Sequence, residues 1–418
     1  MTSQHDDLLS VDEARARVLD AVAPLSDELV ALPHAAGRAL STELRALRAL
    51  PGFDNSAMDG VGVRVADVAG ASEQTPVALT LVGEALAGGA PGARALGAGE
   101  AVRIMTGAAI PPGVEAVVMR EHTDEAELAR GVVRVKAAAP PGQHVRKAGE
   151  DVQQGALVGA VGDELTPARM NLLLAAGHVS ARVVRRPQVA IVASGDELVE
   201  AGASLSPRDV VNSNAYALAA AARAAGAEAH LLGIARDSLA DHVARMNDAT
   251  FADVLVTVGG VSMGTHDFVR PALAELGCAL TLWRVAMRPG KPVAFGRRGD
   301  GRAAQYVFGL PGNPVSAMVS FELFVRPALK KLLGLSPARW MRPLHTAVLA
   351  EGTKKKAGLE HWARARVASV DGALVATLLD AQGSHQISGL ADADALVRLP
   401  RDATALAAGE RVQLMLLG

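Results

Sequence analysis

The sequence predicts a multidomain protein of α/β and β parts. Three observations predict it: a length beyond one core, strands alternating with helices from residue 186 to 334, and short β runs on both sides of that stretch. A chain of 418 residues is longer than the roughly 250–300 residues at which a single hydrophobic core stops growing. Several domains are therefore expected.

Taken in order, residues 1–50 read as mainly helical, with Ser10 and Glu13 spaced as a capping box for the first helix. PGFDNSAMDG then breaks the pattern. Residues 51–145 read as a β-rich module, since VALTLVG, EAVVMRE and GVVRVKA are short apolar runs separated by glycine, proline and acidic residues, as in a small barrel or sandwich. TPARMNLLLAAGH resumes helical character. Residues 1–50 and 146–185 are thus expected to form one helical framework domain, with the β module inserted into it.

Residues 186–334 read as a doubly wound α/β domain, because strand and helix patterns alternate as in a parallel sheet with right-handed crossovers. QVAIVAS, the run before GIARD, VLVTV and YVFGL are the strands. One helix is expected to be capped near Asn212 to Asn214, and another by Ser238 with Asp241 in the place usually held by Glu or Gln. HTAVLAE, ARARVASV, GALVATLL, DALVRLP and RVQLMLL then mark residues 335–418 as a C-terminal β domain.

Half the residues are hydrophobic, yet no apolar run reaches the roughly 20 residues of a membrane helix. A soluble, cytoplasmic protein is expected, and the acidic start of the chain does not resemble a secretory signal. Cys278 is the single cysteine, which excludes an internal disulfide framework and a cysteine-clustered metal site. Its apolar surroundings read as core packing. A formal net charge of −2 and 3% aromatic residues give polynucleotides neither attraction nor stacking surfaces. No nucleic-acid or membrane partner is expected.

VLVTVGGVSMGTHD, residues 254–267, is the most informative segment: a buried strand feeds a glycine turn and ends in a carboxylate. Gly259 and Gly260 let backbone N–H groups approach an anion, and ligands of open α/β sheets sit at this end of the strands. Asp196, Glu197, Asp237 and Asp267 all fall at strand ends or in glycine-containing loops, where they read either as joint ligands of a divalent cation or as caps and solvated turns. Arg284, Arg288 and Lys291, in a segment that Pro289 and Gly290 make strand-to-loop, supply cations suited to an oxyanion or phosphate. LPGNPVSA places Gly312 and Asn313 before a helix. In the first half, Asp54, Asn55, Ser56 and Asp59 crowd one loop, and Arg146, Lys147, Glu150 and Asp151 another, which turn chemistry or surface ion pairs would also explain. The histidines are scattered and read as structural or solvated, with no Ser-His-Asp order evident.

With these segments in order, the sequence resembles the molybdopterin molybdenumtransferases, the MoeA family that includes the gephyrin E domain. PGFDNSAMDG, RIMTGAAIPPGVEAVVMRE, RKAGED, ASGDEL, NSNAYAL, RDS, GGVSMGTHD, MRPGKP and LPGNPVSA carry the likeness over nearly the whole chain. The resemblance implies an elongated homodimer, with the α/β domain binding molybdopterin and the active site lying between subunits. It implies insertion of molybdenum from molybdate into adenylylated molybdopterin with release of AMP, helped by Mg²⁺ or Zn²⁺. It also implies transient contact with the adenylyltransferase and with molybdoenzyme maturation factors.

Carried over by motif, Asp59, Thr106, Asp151, Glu197, Asp237 and Asp267 are the catalytic candidates. Glu197, Asp237 and Asp267 are the metal candidates among them. Arg146, Gly259, Gly260, Ser262, Arg284, Arg288, Lys291, Pro311 and Pro314 are the substrate-binding candidates. Arg284 and Arg288 stand where the family often carries lysine, which keeps charge and changes donor geometry. The alternatives are a molybdopterin adenylyltransferase, which shares only the α/β part, and a non-catalytic scaffold like the gephyrin E domain.

Overall fold

The structure, a computed structural model, describes residues 8–90, 94–260, 268–301 and 304–418, with side chains for all of these except 282 and 283. Its centre is a six-stranded sheet in the order Glu228–Ala235, Gln188–Ser194, Val254–Val258, Gln305–Leu310, Pro292–Arg298, Cys278–Arg284. The first four strands run parallel and the last two are antiparallel to their neighbours. Along Gln188–Ser194, Val189, Ile191 and Ala193 enter one core while Ala190 and Val192 enter another. That two-fold alternation fills both faces of the sheet, so the strand reads as one continuous apolar run.

Helices cover each face. Leu218, Ala219 and Ala222 of Ser213–Ala224 share the first core, and Met246 and Leu273, from Leu239–Asn247 and Val269–Glu275, share the second. The chain passes from Gln188–Ser194 to one neighbour and then crosses to Val254–Val258 on the other side. A crevice opens where the order reverses.

The first helix, Val11–Ala21, begins with the expected capping box, Ser10 Oγ accepting from the Glu13 backbone and Glu13 accepting from the Ser10 backbone. Its buried Val11, Ala14 and Val18 join the α/β core, beside Leu329 and Leu332. The rest of residues 1–50 corrects the helical expectation. Asp27–Ala31 pairs with Ser180–Val184, and Leu44–Arg45 with Leu157–Gly159, so of the longer helices only Val11–Ala21 and Pro167–Ala175 remain in these flanks. Alanine and leucine raise helix propensity only weakly, and partners more than a hundred residues away override it. Both flanks still share one core, through Leu32, Leu40, Val158, Leu173 and Val183.

Between them, Ala116–Met119, Gly60–Val63, Glu100–Ile104, Val77–Ala85, Val132–Val135 and Thr123–Asp124 form a mixed six-stranded sheet. At the other end, Leu344–Leu349, Glu360–Val370, Ala373–Leu378, Ala395–Leu399 and Arg411–Leu416 form a third sheet of mainly antiparallel pairs. Met287–Arg288 pairs in parallel with Glu360 and His361 and so joins that sheet to the α/β part. No helix among the described residues is long and apolar enough to cross a membrane.

Candidate active site

The crevice at the reversal point holds a cavity of about 250 Å³ lined by Ser194, Glu197, Asn212, Asn214, Gly312 and Asn313 among others. Gly259 and Gly260, which follow the lining residue Val258, have φ of +95° and +62°. A Cβ on Gly259 would lie 2.7 Å from the Ser194 carbonyl oxygen, and one on Gly260 2.7 Å from Val269 Cγ2. Both the conformation and the close approach therefore require glycine. Pro311 and Pro314 flank Gly312, whose carbonyl accepts from Asn214 Nδ2 at 2.7 Å. Asn212 takes the expected cap position of its helix but makes no side-chain cap bond.

The acidic loops meet beside this cavity. Glu197 folds back over Gly195, where a Cβ would lie 2.3 Å from Glu197 Oε2. Asp196 Oδ1 accepts from the Asp237 backbone N–H at 3.1 Å. Arg236, not foreseen from the sequence, locks both loops: Nη1 donates to the carbonyls of Asp196 at 3.1 Å and Leu198 at 3.0 Å, and its own N–H to Asp241 at 2.6 Å. Asp241 thus serves Arg236, so the Ser238 box is only half formed, through Asp241 N–H to Ser238 Oγ.

Ser262 and Asp267 lie outside the described residues. Among the described residues no group of three or more His, Cys, Asp or Glu is gathered as a metal site. Glu197 and Asp237 are carboxylates with no sulfur or imidazole beside them in the ligand set, a donor chemistry that fits Mg²⁺ better than Zn²⁺.

The basic residues gather where the α/β part meets the C-terminal sheet. Arg284 ends its strand and is exposed, Arg288 lies in register with His361, and Lys291 is half-buried with its carbonyl accepting from Val285 N–H at 3.0 Å. Arg364 stands nearby, only 1% exposed. Its Nη1 donates to the Gly383 carbonyl at 3.1 Å, while Nε and Nη2 have no partner. His361 Nε2 and Ser320 Oγ are likewise buried and unpartnered. Burial, then the charges of Arg288, Lys355 and Arg364, push His361 down to about 4. Burial and Arg288 also lower Arg364. Buried donors left unmet are costly, and an oxyanion would satisfy them. Arg364 was not singled out from the sequence, because it shares a strand face with the exposed Arg366 and a two-residue period cannot separate them.

The first-half candidates form a separate cluster. Asp59 accepts from Thr106 N–H and Oγ1–H, each at 2.7 Å, and these bonds hold its carboxyl below the usual range. Asp54 is lowered by Lys147, at 2.8 Å, and by the Ala148 N–H. Arg146, in register with Asn55, and Asp151 are exposed on the same set of loops. Among the described residues, the bonds of Asp59, Thr106, Arg146 and Asp151 stay within the first half of the chain. One histidine, His242, is fully buried in the crevice wall, its Nε2 2.8 Å from Ser194 Oγ.

Three family descriptions match in sequence: the MoeA N-terminal region (domain I and II) at residues 9–177, a probable molybdopterin binding domain at 190–331, and the MoeA C-terminal region (domain IV) at 346–417. A molybdopterin molybdenumtransferase of Bacillus subtilis (strain 168) is 36% identical over 412 residues, 98% of this chain and 94% of the relative. Molybdopterin molybdenumtransferase 2 of Mycobacterium tuberculosis is 36% identical over 413 residues, 97% of this chain and 98% of the relative. The crystal structure of the molybdopterin biosynthesis MoeA protein from Pyrococcus horikoshii OT3 superposes with a TM-score of 0.81 at 26% identity, covering 98% of this chain and all of that one. The matches outside the α/β part separate the chain from enzymes that hold that part alone. With matches that run from end to end of the chain, it belongs to the molybdopterin molybdenumtransferase family, a family of transferases.

Proposed function

We propose that this protein inserts molybdenum from molybdate into adenylylated molybdopterin and releases AMP. The observation that carries the reading is the buried Arg364 with two unmet donor nitrogens, beside His361 and Arg288. A tetrahedral oxyanion supplies acceptors for these donors, and the glycine turn at 259–260, with no Cβ at either position, lets a phosphate approach the backbone, although the Gly259 N–H itself is held by the Leu310 carbonyl at 3.0 Å. Arg284, Arg288 and Lys291 then balance the charge of the two anions. A magnesium ion held by Glu197, Asp237 and Asp267 would draw charge from the phosphoanhydride oxygens when bound.

Asp59, Thr106, Arg146 and Asp151 serve the crevice of the partner subunit in a homodimer, which is consistent with their exposure and with bonds confined to their own loops. The protein acts in the cytoplasm, in keeping with a lone buried Cys278 whose thiol burial pushes up to about 11. It receives its substrate from the adenylyltransferase and passes its product to maturation factors by transient contact. Purified protein given adenylylated molybdopterin and magnesium should release AMP only when molybdate is added, with tungstate run in parallel. Adenylylation of molybdopterin by ATP, with no molybdate-dependent AMP, would replace this reading with the adenylyltransferase.

A further inference from the structure

We propose that Ser194 and His242 form a proton-accepting pair under the glycine turn, serving the water that cleaves the phosphoanhydride. The proposal rests on the reaction given above. His242 is fully buried, and its Nδ1 lies 2.9 Å from the Ser238 carbonyl oxygen. A carbonyl only accepts, so Nδ1 carries a proton, and in the neutral ring Nε2 is left as an acceptor. Ser194 Oγ, 2.8 Å from Nε2, must then donate its own proton inward. Its lone pairs are left for the crevice cavity that Ser194 lines.

Hydroxyl, base and orienting group stand in the sequence that activates a serine oxygen. The position is also chemically apt. Ser194 ends the Gln188–Ser194 strand, and a Cβ on Gly260 would lie 3.2 Å from its Oγ, so the glycine turn passes over the hydroxyl. The charged or titratable residues on elements around the ring are Asp241 and Arg245 on its own helix, Glu228 and His230 on the Glu228–Ala235 strand with Arg236 and Asp237 beyond it, and Arg270 and Glu275 on Val269–Glu275. Among the described residues, the hydrogen bonds of the ring go to Ser194 and Ser238, with the Phe268 ring 5.7 Å away.

In the step, the water oxygen bonds to the adenylyl phosphorus while its proton passes to Ser194 Oγ and the serine proton passes to His242 Nε2. The bridging P–O bond breaks, and its electron pair leaves on the phosphate of molybdopterin. His242, doubly protonated, then donates to both Ser194 and Ser238 until the proton returns through Ser194 to solvent. Water is the only further reactant.

Glutamine at 242 separates geometry from proton uptake, since its amide can donate to Ser238 and accept from Ser194 but cannot be protonated. His242→Gln and Ser194→Ala should each lower kcat about 100-fold or more, the usual scale of general-base catalysis. KM should stay unchanged, the acid limb of the pH–kcat profile should vanish in His242→Gln, and the double variant should be no slower than either single one. Wild-type kcat with an intact acid limb in both variants overturns the pair. If His242→Gln does not fold, Ser194→Ala carries the kinetic test. If the wild type itself releases no AMP, the reaction assigned above fails, and nitrogen-15 NMR of the wild-type ring then decides the pair. A proton on Nδ1 with Nε2 bare at neutral pH supports it, and a proton on Nε2 overturns it.

Discussion

The Asp59 cluster and the Arg364 cluster are both polar, yet they keep opposite accounts of their hydrogen bonds. Asp59 is exposed, and its carboxylate already takes two bonds from Thr106. Arg364 is buried and leaves two nitrogens unmet, with the unmet His361 Nε2 close enough to feel its charge. The first arrangement is complete without a ligand and so holds a shape. The second is costly as it stands and becomes favourable only when an acceptor arrives. On the proposed function, the Asp59 set would position substrate with its bonds satisfied in advance, and the Arg364 set would grip it with donors kept short of partners.

The sharpest way to break this contrast is Arg364→Met. Removing an uncompensated buried charge should leave the fold unharmed or stabilise it by about 1–4 kcal/mol, the range seen when buried ions give way to apolar side chains. Molybdate-dependent AMP release should fall by about 100-fold or more, on the scale of losing one preorganised donor. Denaturant melts and turnover measured together check both signs; a variant that is less stable and fully active refutes the contrast.

Next comes pH. His361 is pushed from 6.5 to about 4 in the folded protein, so below pH 6.5 the unfolded chain binds a proton that the folded one does not. Stability is therefore full above pH 6.5 and is lost as pH falls toward 4, by an amount on the order of 3 kcal/mol. His361→Gln should flatten the curve, and saturating molybdate should shrink it by restoring a counter-charge. Equal slopes in all three samples would exclude His361 as the source.

A smaller effect is expected at the exposed cluster. Asp59→Asn should cut turnover by roughly tenfold or more, as loss of a charged contact in catalysis does, while the melting temperature at neutral pH barely moves. The Asp59 carboxyl is lowered by Thr106, so any stability it lends is present above its unfolded value and fades only as pH drops through the lower folded value. The smallest effect is Ser10→Ala, which removes the first helix cap at about 1 kcal/mol, with activity unchanged.

Much of this was legible in the sequence because it depends on local period. Val254–Val258, Gln188–Ser194 and the five longer strands after residue 340 follow from apolar runs and turn residues. Ser10 with Glu13 announced its helix correctly. The strands at Asp27–Ala31 and Leu44–Arg45 were not legible, since their alanine- and leucine-rich stretch becomes extended only by pairing with Ser180–Val184 and Leu157–Gly159. The same limit hid the chemistry. Asp59 with Thr106, and Asp196 with the Asp237 backbone, lie in motifs that could be quoted. Arg236, Arg364 and the Ser194–His242 contact depend on which side chains meet after folding, which spacing along a strand does not encode.

The parallel pairing of Met287–Arg288 with Glu360–His361 has one further consequence. It staples the cationic loop to the terminal sheet, so the two travel as one piece and neither can be grafted elsewhere without the other. A fusion or truncation that lets the terminal sheet swing would slacken the cationic loop before it disturbed any strand of the central sheet. In this molecule the terminal sheet serves as a brace for a loop that belongs to the α/β part.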